Sequence, residues 1–218
     1  LHLIHTTPHL DAKAGNLNQA SEFLKKYYPE IDLVLTQDAD ETAKADIFDA
    51  VVGYFEDPKV AFVQTIKQSI TDPNDPFGNR DHMWYLRSAP AREATESMFA
   101  CGSGVVWRLS AVESIKGFST WNLVEDLTTS YNLVANGWKS RYHFEPLSLG
   151  LAPQDLANFI KQRGTWALDN LRLFFWDNPF FKKGLNFRQK LGFAEPSLFY
   201  LNGVFQQNKG SWYLPKSG

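Results

Sequence analysis

The chain has a single cysteine, Cys101, in 218 residues. That excludes an internal disulfide and any cysteine-rich zinc site. Basic charge is not in excess: 22 Lys and Arg stand against 24 Asp and Glu. The basic face that general nucleic-acid binding draws on is therefore missing, and no nucleic acid is expected as a partner. No apolar run approaches the roughly 18 residues of a transmembrane helix. Residues 1–10 lack the basic flank and apolar core of a signal peptide. The histidines show no metal spacing: His2, His5 and His9 lie near the start, while His82 and His143 are isolated. Cys101 has no evident His partner that would make it a nucleophile. What is present is a globular composition, 44% hydrophobic and 21% charged, with length for one large domain or two small ones. Charge and aromatics are unevenly spread. Residues 1–173 hold 16 Lys and Arg against 22 Asp and Glu, whereas residues 174–218 hold 6 against 2 and also 12 of the 32 aromatics. An acidic body with a basic, aromatic tail suggests two environments.

Apolar spacing predicts helices over 16–28, 45–55, 83–99, 127–136 and 155–176. Short β-branched or apolar runs predict strands at 31–35, 60–65, 104–108 and 139–144. Residues 69–82, rich in Asp, Pro, Asn and Gly, read as a long loop, and no regular pattern is evident beyond Pro179. Strands alternating with helices give an α/β fold with a mostly parallel sheet. Ligands bind such sheets at the carboxyl ends of strands, which is where Asp38 and Asp40 fall.

Several residue sets could carry chemistry. Asp38-Ala39-Asp40, following a strand, could hold a hard Mg²⁺ or Mn²⁺ ion through one or two carboxylates plus phosphate oxygens, or form a solvated turn. Lys13-Ala14-Gly15-Asn16 precedes the first predicted helix. It offers a point charge and free N–H groups to a phosphate, or an ordinary cap through Asn16. Glu125-Asp126 opens a helix, where one carboxyl could have a raised pKa and act as a base, or both could complement the helix dipole. Gln162 and Trp166 are four apart on one helix face, suited to stacking and hydrogen bonding a sugar or to ordinary packing.

The order of these sets carries a resemblance. Lys13 to Asn18, Asp38-Ala39-Asp40, Phe99-Ala100-Cys101-Gly102-Ser103-Gly104, Glu125-Asp126-Leu127 and Gln162-Arg163-Gly164-Thr165-Trp166 follow one another as in the processive family 2 glycosyltransferases. That group contains the bacterial cellulose synthase catalytic subunits and the β-glucan, chitin and hyaluronan synthases. The resemblance covers roughly residues 10–205. It implies a GT-A fold and inverting transfer of a sugar, glucose foremost, from a UDP-sugar to the end of a growing β-linked polysaccharide. It implies that Lys13, Asp38 and Asp40 bind the nucleotide, and that Asp38 and Asp40 hold Mg²⁺ or Mn²⁺. Asp126 is then the general base. Gln162, Trp166 and the Cys101, Gly102 and Ser103 loop meet the acceptor.

The chain departs from that pattern. Thr165 stands where the motif has Arg, removing a cation expected near the pyrophosphate, and Arg163 points elsewhere on a regular helix. Val124 stands where Thr is common. The first nucleotide-binding strand and the flanking transmembrane helices are not found. The chain is thus expected to be a soluble piece of a protein that works at the cytoplasmic face of the cell's inner membrane. Residues 1–173 would form its catalytic domain, and 174–218 an aromatic, basic segment at the membrane surface, with Phe174, Phe175, Phe180, Phe181, Leu185 and Phe187 beside Lys182, Lys183, Arg188 and Lys190. Two other readings fit the same residues: a non-processive family 2 enzyme, and a catalytically weakened homologue that binds sugar nucleotide or polysaccharide.

Overall fold

The computed structural model describes residues 12–75 and 82–210, with side chains through Asn202. The N-terminal histidines and part of the 69–82 loop lie outside the described residues. Five strands form one sheet: β1 (Leu33–Thr36), β2 (Glu41–Ala43), β3 (Val60–Ile70), β4 (Val105–Arg108) and β5 (Lys139–Leu151), in the order β1-β4-β3-β5-β2. The helices are α1 (Ala12–Tyr27), α2 (Ile47–Val51), α3 (Ala89–Ala94), α4 (Leu109–Ser114), α5 (Glu125–Ala135), α6 (Leu156–Trp176) and α7 (Phe187–Gly210).

The α/β class holds, but the sheet is mixed, not mostly parallel. Only β3 and β5 pair in parallel, and the other three pairings are antiparallel. A short apolar run such as Val105-Val106-Trp107 fixes burial but not direction, so its pattern is the same either way. The direction of β4 has a consequence for the site. Thr36 pairs with Val105, so the residues leaving β1 lie beside those entering β4. Asp38 and the Cys101–Gly104 turn thereby reach the same sheet edge.

β3 is the central strand, and Val60 to Ile66 are all buried, as expected where helices cover both faces. On one face Phe62, Trp107, Phe118 and Leu133 pack with Ala14 of α1. On the other Val63 and Val106 pack with Val51 and Phe55. β3 and β5 both run further than their apolar runs foretell. The register jumps from Thr65–His143 to Ile66–Pro146, leaving Phe144 and Glu145 as a bulge that accommodates a proline in a strand.

Other boundaries moved. α1 already includes Ala12, so Lys13 sits inside the helix and Asn16 is not its cap. The predicted helix 83–99 is a π turn at Trp84–Ser88 running into the short α3. α6 starts as expected, with Asp155 as N-cap accepting from the Asn158 amide.

The tail contains a long helix that periodicity missed. α7 docks through Phe193, which with Leu185 joins Leu127, Tyr131, Val134 and Leu173 in one cluster. Leu185 is therefore a core residue, not a surface one. Pro196 lies within α7 and has no N–H for the Gly192 carbonyl four residues back. Arg92 of α3 donates to that carbonyl at 2.7 Å, and its guanidinium also meets Glu195 and stacks on Phe99. Phe175, Trp176, Phe181, Phe187 and Phe199 remain exposed. No helix among the described residues is long and apolar enough to cross a membrane.

Candidate active site

Lys13 is the hub of the sheet edge. Its Nζ lies 2.5 Å from Asp38 Oδ1, 2.8 Å from the Gly102 carbonyl and 3.6 Å from Glu125 Oε1. Burial alone would lower its pKa, but Asp38, Glu125 and Asp126 together raise it, so the ammonium keeps its charge. α1 supplies the lysine, the β1 exit supplies Asp38, and the first turn of α5 supplies both other carboxylates.

Glu125 and Asp126 are 6% and 8% exposed. Both have raised pKa values. Burial is the main cause in each, and for Asp126 the adjacent Glu125 adds repulsion that pushes it up to about 8. The Leu127 amide donates to Asp126 Oδ1 at 2.7 Å and fixes its rotamer. Gly102 packs directly on the other oxygen. Its φ is +81°, and a Cβ there would sit 3.1 Å from Asp126 Oδ2 and 3.5 Å from Lys13 Nζ. Glycine suits this left-handed backbone, and a side chain there would be strained and would crowd Asp126.

The turn before β4 is held from beneath by Gln64, which sequence patterns alone did not single out. Its Oε1 accepts from the Cys101 amide at 2.6 Å, and its Nε2 donates to the Ser103 carbonyl at 3.0 Å. The available signal was a glutamine within the buried run Val60 to Ile66. Ser103 is fully buried, and its hydroxyl accepts from the Asp38 amide at 3.1 Å. It therefore ties the turn to β1. Gln37 Oε1 adds a second tie, accepting from the Gly104 amide at 3.2 Å.

Two cavities open beside this network, separated by a ridge on α6. The first, about 390 Å³, is lined by Asp126, Cys101, Phe99, Trp84, Gln162 and Trp166, with α7 closing one side through Glu195, Phe199 and Tyr200. The Cys101 thiol is driven far above its usual pKa by burial and by Asp126, so it is not a thiolate. Gln162 Oε1 is buried without a hydrogen-bond partner among the described residues, leaving an acceptor free for a ligand hydroxyl. The second cavity, about 520 Å³, is lined by Asp40, Lys161, Gln162, Thr165 and Trp166 together with the Leu151-to-Asn158 stretch. Gln162 and Trp166 thus face both.

The sequence-predicted residues therefore divide. Lys13, Asp38, Gly102 and Asp126 form one network. Asp126, Cys101, Gln162 and Trp166 line the first cavity, and Asp40 lines the second. Asp38 and Asp40 offer the hard oxygen donors that Mg²⁺ and Mn²⁺ take, in the one or two carboxylates such ions use beside phosphate oxygens. Among the described residues no three His, Cys, Asp or Glu side chains converge as a closed metal site. The carboxylates suit such an ion by their chemistry alone: Asp38 is paired with Lys13, and of the two only Asp40 lines the second cavity.

Comparison with known proteins gives this geometry a family. The model of glycosyl transferase family group 2 matches residues 33–206. Cellulose synthase 1 of Komagataeibacter xylinus is 32% identical over 204 residues, 88% of this chain but 13% of its own length. The UDP-forming cellulose synthase catalytic subunit of Pseudomonas fluorescens is 30% identical over 204 residues and is covered over 27% of its length. A UDP-forming cellulose synthase catalytic subunit of Dictyostelium discoideum is 33% identical over 169 residues, 74% of this chain and 16% of its own. The chain therefore spans under a third of each of these relatives. A mannosyltransferase from Pyrobaculum calidifontis, solved with GDP-Man and Mn²⁺, superposes with a TM-score of 0.63 at 17% identity, over 94% of this chain and 57% of that one. That match shows a GT-A-like fold. The chain belongs to glycosyltransferase family 2 and is a distant relative of the cellulose synthase catalytic subunits.

Proposed function

We propose that the chain is the catalytic domain of a polysaccharide synthase. It transfers a sugar, glucose foremost, from a UDP-sugar to the end of a β-linked polysaccharide, with inversion at the anomeric carbon. The observation that carries this reading is Asp126. It is a buried carboxyl with a raised pKa at the wall of a cavity that also presents Trp166 and the unpartnered Gln162 Oε1. An acceptor hydroxyl is a poor nucleophile until a base takes its proton, and a carboxylate basic enough for that is made by burial beside a like charge. Trp166 offers a ring for the terminal sugar to stack on, and Gln162 offers the acceptor atom for one of its hydroxyls.

The nucleotide is assigned to the Lys13–Asp38 pair at the sheet edge and to Asp40 at the second cavity. Lys13, Asp38 and Asp40 are the groups for its diphosphate, and the UDP-forming relatives suggest uridine. Asp38 and Asp40 would hold Mg²⁺ or Mn²⁺, which supplies positive charge to the departing diphosphate. Lys13 is already charged and poised at Asp38. Acceptor and donor then meet across Gln162 and Trp166, so that alignment supplies much of the rate.

Residues 174–218 are proposed as the surface along which the intact protein meets the cytoplasmic face of its membrane. Exposed Phe175, Trp176, Phe181 and Phe187 beside Lys183 and Arg188 support it. A donor screen on the intact protein, with glycosidase digestion of the product, tests the function. UDP release coupled to a β-linked polymer is expected. The absence of turnover with every UDP-sugar would overturn it.

A further inference from the structure

α5 opens with no side-chain cap: Val124 stands at its N-cap and has no polar group to offer. The lead-in to that helix, residues 121–124, is held instead from α6. Arg172 Nη2 donates to the Trp121 carbonyl at 3.2 Å, and its guanidinium lies 5.9 Å from the Trp121 ring centroid. Asn122 is buried, and its Nδ2 donates to the Asp169 carbonyl at 3.1 Å and to Thr128 Oγ1 at 3.4 Å. The Asp169 side chain completes the grip. It is fully buried, and the amides of Val124 and Leu123 face its carboxylate. Burial pushes that carboxyl above its ordinary range, and the two amides and Arg172 draw it back. Neither oxygen closes a hydrogen bond of full geometry among the described residues, so no other group claims the carboxylate.

Two features give this contact a role beyond packing. The first is its place in the chain. Val124 directly precedes Glu125 and Asp126, and Asp126 is fixed within its own helix by the Leu127 amide. Wherever the first turn of α5 is set, the Asp126 carboxyl follows. The second is the face of α6. Gln162, Trp166 and Asp169 recur at i, i+4 and i+7, which is one stripe of a helix. The ridge that faces the first cavity and the side chain that meets the α5 lead-in therefore stand on one rigid element. A carboxyl buried at this point also costs stability that an apolar side chain would not, so packing alone does not account for it.

We infer that Asp169 is a positioning residue for transfer: through the amides of Leu123 and Val124 it sets the first turn of α5, and with it Asp126, at a fixed place relative to the Gln162 and Trp166 ridge. This rests on Asp126 being the base. An acceptor sugar stacked on Trp166 then finds the base already within reach, where a displacement of about 1 Å costs on the order of 10²-fold in rate.

The test is steady-state transfer by the intact protein with a UDP-sugar and acceptor, beside UDP binding by calorimetry. Asp169→Ala removes the carboxylate and should lower kcat about 10- to 100-fold, with UDP affinity and donor KM unchanged. Asp169→Asn keeps the shape and one of the two acceptor oxygens, and should lose about three- to tenfold; it decides the question if the alanine variant does not fold. A double variant separates positioning from a merely structural role. In the Asp126→Asn background, Asp169→Ala should cost no further transfer, because no base is left to place. A multiplied loss there would assign Asp169 a structural role and overturn the inference. Parental kcat in Asp169→Ala, or in Asp169→Asn where only that variant folds, would overturn it alone and leave the base in place. If Asp126→Asn itself transfers at the parental rate, the base reading fails and takes this inference with it.

Discussion

Asp126→Asn should stabilise the folded protein while removing its transfer activity. Asp126 is 8% exposed, next to an equally buried Glu125, and its pKa is raised from 3.8 to about 8. At pH 7 the folded state must therefore hold a proton that the unfolded chain would release. The cost is the distance between pH 7 and the ordinary aspartate value at 1.36 kcal/mol per unit, roughly 4 kcal/mol. Glu125 shares that burden, so relieving Asp126 alone should recover about 2–4 kcal/mol. Asparagine keeps the shape and the Oδ1 that accepts from the Leu127 amide, and carries no charge to bury. A group whose pKa is raised on folding contributes its stability below the unfolded value and loses it as pH rises to the folded one. The native protein should thus weaken progressively between about pH 4 and pH 8, and the variant should weaken less. Denaturant unfolding at pH 4.5, 6, 7 and 8 measures it. The stability gap should widen from about 1 kcal/mol or less at the lowest pH to its full value at the highest. A variant less stable than the parent at pH 8, or a gap independent of pH, would refute the argument that burial and Glu125 raise this pKa.

Three further outcomes follow from the same geometry. Because the base must be unprotonated, kcat/KM should rise about tenfold per pH unit below pH 8 and level above it; a flat profile from pH 6 to 9 removes a high-pKa base from the mechanism. Gly102→Ala forces a side chain into the left-handed region and against Asp126 Oδ2, which should cost about 1–2 kcal/mol in thermal unfolding and lower kcat more than it raises the donor KM; wild-type kcat would show that the Gly102 contact is not needed. Arg92→Ala strips the Gly192 carbonyl of the donor that Pro196 cannot replace and removes a buried guanidinium stacked on Phe99, so stability should fall by about 1–3 kcal/mol and limited proteolysis should cut α7 first; unchanged protection of α7 would show that Arg92 does not anchor it.

What the sequence made legible follows from where its signals are local. α1, β1 and the capped start of α6 each leave a periodic or capping signature, and α5 opens at the acidic pair that complements its dipole. The mixed sheet left none, because strand direction is set by how β4 closes against β1 and β3. α7 was hidden for a different reason. Gly192 and Pro196 break its pattern, and the structure repairs the break from α3 through Arg92. The site shows the same division. Motif order singled out Lys13, Asp38 and Asp126, which the fold joins into one hydrogen-bonded and electrostatic network. It could not show that Ser103 is turned inward to the Asp38 amide, that Gln64 holds the turn before β4, or that Gln162 and Trp166 form a ridge with Asp126 on one side and Asp40 on the other. Those are contacts between residues far apart in sequence.

The measurement closest to the central claim compares the intact protein with its Asp126→Asn variant, following UDP binding by calorimetry and UDP release from a UDP-sugar in the presence of acceptor. The account predicts equal UDP affinity in the two, with transfer present in the parent and lost in the variant by a factor of about 10³ or more. A variant that transfers sugar at the parental rate would contradict Asp126 as the base, and a parent that releases no UDP would contradict the enzyme itself.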